Sequence, residues 1–77
     1  MSFGRLVYDG RLASGLTKQE LSIKLGISEG ILSDIELSVT LPPKRMVNTF
    51  IRILKLNQHY ARKRFKEDNL ARYLSHD

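Results

Sequence analysis

The sequence predicts an all-α fold, a compact bundle of four to five helices, on three observations. Apolar residues recur at three- and four-residue intervals along most of the chain, strand-type alternation is absent, and helix-capping residues stand at the ends of the periodic segments. Seventy-seven residues leave room for one domain, residues 1–77. Without a cysteine, its 42% of hydrophobic residues must build the core by helix packing alone.

Each element has a local reason. Phe3 to Ala13 places Phe3, Leu6, Val7 and Gly10 at helical spacing, and Ser14-Gly15 ends that run. Thr17-Lys18-Gln19-Glu20 is a capping box, in which the Thr17 hydroxyl takes the third amide and Glu20 reaches back to the amide of Thr17. The helix it opens carries Leu21 and Leu25 one turn apart and stops at Gly26, where a positive φ is cheap. Ser28 caps the next helix, whose inward residues are Leu32 and Ile35. Pro42-Pro43 breaks the chain and suits a helix start, after which Met46, Val47, Phe50, Ile51 and Leu54 form a stripe of 3.6-residue period. Residues 58–77 read as a basic C-terminal helix that packs on the domain or makes a dimer contact. In it, Ala61 and Phe65 share a face, and Tyr60, Phe65, Tyr73 and Leu74 read as packing residues against the fourth helix or a second subunit.

The charge is unevenly divided. Met1 to Leu41 holds four basic and five acidic residues, a balance of −1, whereas Pro42 to Asp77 holds nine basic and three acidic residues, a balance of +6. The net +5 and the basic isoelectric point suit a nucleic-acid partner, although acidic proteins and membrane surfaces attract the same charge. No apolar run approaches the roughly 20 residues of a membrane span. The N-terminus lacks the basic-then-apolar pattern of a signal segment, so a cytoplasmic location and no membrane partner are expected.

Thr17 to Glu36 carries the most information. A capped helix of about two turns, a bend at Gly26 and a second short helix make a helix-turn-helix pattern, the geometry that places a second helix in the major groove. The run Arg11-Leu12-Ala13-Ser14-Gly15-Leu16-Thr17-Lys18-Gln19-Glu20-Leu21-Ser22-Ile23-Lys24-Leu25-Gly26-Ile27-Ser28, with Leu32-Ser33-Asp34-Ile35-Glu36 after it, resembles the lambda-repressor-like family. This is the class of Cro, the phage repressors and the xenobiotic-response-element regulators, and the resemblance spans roughly Leu6 to Leu56. It implies four or five helices and a regulator that binds double-stranded operator DNA as a homodimer. It also implies that Arg11 pairs with Glu36, clamping the first helix to the end of the recognition helix. Lys18 stands where the family has a glutamine, and a phosphate contact from that helix N-terminus competes with the reading of a solvated side chain. Ser28 caps and can touch phosphate, Lys44 and Arg45 suit the DNA backbone, and the base-facing positions fall on Glu29, Gly30, Ser33 and Asp34.

Two departures from the family open an alternative. The base-facing positions have no Arg, Lys, Gln or Asn, the side chains that read guanine or adenine bidentately, while Glu and Asp can accept from a cytosine amine. In addition, Leu37-Ser38-Val39 replaces the usual polar glycine turn, and Ile23 and Ile31 occupy positions that are usually polar. Ile23, Gly30, Ile31, Leu37 and Val39, with acidic Glu29 and Asp34, then make a protein interface, such as that of an antirepressor or modulator binding a repressor. The competing reading is that these apolar residues enlarge the core or cover the tail helix.

Arg62, Lys63, Arg64 and Lys66 add a basic run that is either a solvated face or a set of phosphate contacts. Catalysis is not expected, because His59 and His76 have no nucleophile, paired carboxylates or phosphate-cradling glycine loop beside them. No cofactor is expected, and no metal-ligand spacing occurs.

Overall fold

Four of the five helices begin where a side chain can take their first free amides. The computed structural model describes residues 2–74, which form α1 (Phe3–Ala13), α2 (Lys18–Leu25), α3 (Glu29–Glu36), a 3-10 turn (Lys44–Met46), α4 (Val47–Leu54) and α5 (Gln58–Leu74). The chain is therefore an all-α bundle, with no strand among the described residues. Ser2 caps α1 by accepting the Arg5 amide at 3.1 Å. The capping box of α2 is complete: Thr17 Oγ1 accepts from the Glu20 amide at 3.0 Å, and Glu20 Oε1 accepts from the Thr17 amide at 2.9 Å. Ser28 Oγ accepts the Ile31 amide at 3.1 Å at the head of α3, and Asn57 Oδ1 accepts the Tyr60 amide at 2.8 Å at the head of α5.

The helix ends are equally local. Gly26 closes α2 at φ 71°, and the Ile27 amide reaches back to the Ser22 carbonyl at 3.0 Å, which hands the chain to α3 after three residues. At the end of α3 the left-handed conformation falls on Ser38, φ 62°, where a β-carbon costs on the order of 1 kcal/mol. Side-chain bonds help hold that segment: Ser2 Oγ to Ser38 Oγ at 2.9 Å, and Arg72 to the carbonyls of Ser38 and Val39 at 3.4 and 2.8 Å.

Burial follows the predicted stripes. Phe3, Val7, Leu21, Leu32, Ile35, Val47, Phe50, Leu54, Ala61 and Phe65 form one continuous core. Phe3 sits at its centre, meeting Phe50 edge-on at 5.8 Å and Phe65 at 5.5 Å, and so joins α1 to α4 and α5. The first and third helices approach closely at Gly4, where an added Cβ would overlap the Ile35 carbonyl oxygen.

The tail helix packs on the domain through its inner face. Ala61 and Phe65 face inward, whereas Tyr60 is 39% exposed, Tyr73 77% and Leu74 66%. A 17-residue helix runs about 25 Å, about twice the length of α4, and its inner face meets α1 as well as α4. Polar bonds tether the remainder of α5: Asp68 Oδ2 accepts the Phe3 amide at 2.7 Å, and Arg72 holds the Ser38–Val39 backbone. His76 lies outside the described residues.

Candidate functional site

The end of α3 is fastened to α1 by one buried ion pair. Arg11 Nε donates to Glu36 Oε2 at 2.7 Å, and Nη2 donates to Oε1 at 3.2 Å. The remaining nitrogen, Nη1, donates to the Leu16 carbonyl at 3.1 Å. Both side chains are nearly dry, at 9% and 3% exposure, and the Tyr8 ring lies 5.5 Å from the guanidinium. A fork donating to a carboxylate through two parallel bonds specifies orientation as well as attraction. It sets where the last turn of α3 stands and therefore which of its residues look outward.

Those outward residues are now defined. Glu29, Gly30 and Asp34 are exposed, as is Ser28, whose hydroxyl is committed to the cap. Gly30 stands in the first turn of α3, where a missing side chain costs the helix less than it would in the interior. Ser33 is half-buried and accepts a hydrogen bond from Lys18 Nζ at 3.1 Å. Lys18 is thus drawn onto α3 and is not simply solvated, although an ammonium retains two further protons to donate. Lys44 and Arg45 lie exposed on the 3-10 turn, without an ion-pair partner among the described residues.

The apolar residues of this region do not enlarge the core. Ile23 is 71% exposed, Leu37 72%, Val39 59% and Ile31 49%. The capped starts of α2 and α3 fix the rotation of each helix. Leu21 and Leu32 then point inward, so Ile23, two residues from Leu21, and Ile31, adjacent to Leu32, cannot. The Val39 carbonyl is held by Arg72 while its side chain faces water.

Two carriers of charge have shifted proton affinities. Accepting the Thr17 amide and hydroxyl holds the Glu20 carboxyl below its ordinary range. Tyr60, and after it Glu67, hold the Arg64 guanidinium above its ordinary range. Neither group lies on the exposed face of α3. Among the described residues, no group of three or more His, Asp or Glu side chains gathers in a position to hold a metal ion. Nor is any helix among them long and apolar enough to cross a membrane.

Sequence reasoning overlooked Asn57, Asp68 and Arg72. Asn57 had a visible signal, being a capping residue type directly before a helix. Asp68 and Arg72 had none, because their partners lie 65 and at least 33 residues away in the chain. No family model, curated protein or solved structure matches this chain.

Proposed function

We propose that the chain is a helix-turn-helix regulator of the lambda-repressor-like class that binds double-stranded DNA in the cytoplasm as a homodimer. The observation that carries this reading is the α2–α3 unit, its α3 clamped to α1 by the buried Arg11–Glu36 pair so that Ser28, Glu29, Gly30 and Asp34 present an open edge. In this reading that edge enters the major groove. Lys44 and Arg45, and the free protons of Lys18, neutralise phosphates, and these contacts supply most of the affinity. Glu29 and Asp34 contact cytosine amines, the one base-edge group that carboxylates read well. Exposed Leu70, Tyr73 and Leu74 on the outer end of α5 supply the contact between subunits.

Titration of a short duplex at increasing salt tests the reading. Affinity falls steeply with salt and is lost in Lys44→Glu; absence of duplex binding at low salt refutes it. Deleting residues 69–77 turns the dimer into a monomer by mass in solution, and an unchanged oligomer excludes that segment as the seam.

One observation favours a second reading for the same face. Ile23, Ile31, Leu37 and Val39 are all exposed on or beside helices that carry Glu29 and Asp34, a combination suited to another protein's basic surface. A repressor-binding modulator is the corresponding function. Ile31→Asp then abolishes capture of the partner without unfolding the domain, and retention of the partner refutes it.

A further inference from the structure

We infer that the cleft between the Lys44 turn and α5 binds the phosphodiester backbone of nucleic acid, independently of α3. Folding brings Lys44 beside Arg62 and Lys66 around a groove of about 480 Å³ that Val47, Phe65 and Asn69 complete. Val47 and Phe65 belong to the core, so the floor is rigid and the cations stand on its rim. A neighbouring hollow of about 310 Å³ is lined by His59, Arg62, Lys63 and Lys66, which extends the positive strip along α5. No acidic side chain lines either hollow.

The arrangement sets like charges side by side. Arg62 and Lys66 stand one turn apart, and like charges at that spacing weaken a helix. Arg64, between Arg62 and Lys66 in sequence but on another side of the helix, is already engaged by Glu67 at 3.0 Å and by the Tyr60 ring at 5.4 Å. Lys44, Lys63 and Lys66 have no ion-pair partner among the described residues. Arg62 is oriented by a hydrogen bond to Asn48 on α4, which still leaves guanidinium protons to donate. Lys44 comes from the chain just before α4 and the other cations from α5, so the groove exists only where these elements meet. A polymer with regularly spaced phosphates matches a strip of cations along a helix better than a single small anion does, and it needs no base contact.

The inference takes nucleic acid as partner, as the reading above does, but needs nothing from α3. Its test is fluorescence anisotropy of the full chain with a labelled random-sequence duplex of about 20 base pairs, and with a single strand of equal length, across salt concentrations. Lys44→Gln/Arg62→Gln/Lys66→Gln is expected to weaken binding roughly tenfold or more at about 50 mM salt and to lower the log–log salt slope by about 3. The equal-charge control Lys24→Gln/Arg52→Gln/Lys55→Gln stays within about threefold of the parent, because the slope counts phosphates in contact. Lys63→Gln/Lys66→Gln leaves the Arg62–Asn48 bond intact, spares Lys44, which the α3 reading also uses, and shows the same trend with a slope change of about 2. Equal losses in groove and control variants overturn the site while leaving the α3 reading standing. Groove-dependent binding that ignores α3 substitutions such as Asp34→Ala and shows no sequence preference upholds the site and removes the α3 reading. Absence of binding to either nucleic acid, or groove-dependent binding confined to phosphatidylserine vesicles, overturns it.

Discussion

Replacing Glu36 with alanine is expected to remove a large part of this domain's stability. The substitution deletes two charge-assisted bonds, at 2.7 and 3.2 Å, and leaves the Arg11 guanidinium in a nearly dry site with the Leu16 carbonyl as its hydrogen-bond acceptor. Breaking a buried pair from one side costs about 3–5 kcal/mol, chiefly because the surviving charge stays desolvated. A chain of 77 residues has roughly 4–12 kcal/mol in total at ordinary stability per residue. Each kcal/mol moves the melting midpoint of a domain this size by about 4–8 °C, so even a 3 kcal/mol loss lowers it by about 12–24 °C. Circular dichroism melts and urea titrations of parent and variant measure this directly. The double variant Arg11→Met/Glu36→Leu removes both charges and replaces them with apolar bulk, so it is expected to recover most of the loss. A Glu36→Ala midpoint corresponding to less than about 1 kcal/mol, or a double variant as unstable as two independent losses added together, refutes the argument that a desolvated charge sets the cost.

Further outcomes follow from single positions. Gly4→Ala brings a Cβ into the Ile35 carbonyl oxygen at the end of α3, and the net loss is expected to reach about 1 kcal/mol or more despite alanine's helix preference. Gly30→Ala meets nothing nearer than Ser28 Oγ at 3.9 Å and raises the midpoint; melting curves of the two variants should move in opposite directions. Glu20 supports α2 only as a carboxylate, and its folded-state proton affinity is lowered by the Thr17 amide and hydroxyl. The midpoint advantage of the parent over Glu20→Ala is therefore present above the ordinary carboxylate range and lost as pH falls through the lowered value, and a difference constant into acid contradicts this. Asp68→Ala removes the acceptor of the Phe3 amide, so it costs about 1 kcal/mol and speeds amide exchange in the first turn of α1.

Several features were legible because they are decided within a few residues. The Thr17–Glu20 capping box, the Gly26 bend, the Ser28 cap and the inward stripes of α3 and α4 depend on spacings of three or four residues. The same local logic extends to Asn57, whose position before α5 marks it as a cap. What was illegible depends on distance through space. The exposure of Tyr73 and Leu74 depends on where α1 and α4 lie against α5, and no periodicity within residues 58–77 reports that.

Helicity, the start and stop of most helices, and the excess of positive over negative charge after Leu41 can all be read along the chain. Those properties reside in backbone capping, side-chain period and simple counting, all of which operate along the chain. Packing in three dimensions leaves Ile23, Ile31, Leu37 and Val39 in water, turns Lys18 onto Ser33, and has Asp68 and Arg72 fasten the tail to the start of α1 and the loop after α3. It also gathers Lys44 with Arg62 and Lys66, residues 18 and 22 positions apart, into one groove. One cause underlies these differences. A side chain's solvent exposure and its electrostatic neighbours depend on which helix faces lie against each other, and here the ring of Phe3 joins α1 to α4 and α5 through Phe50 and Phe65.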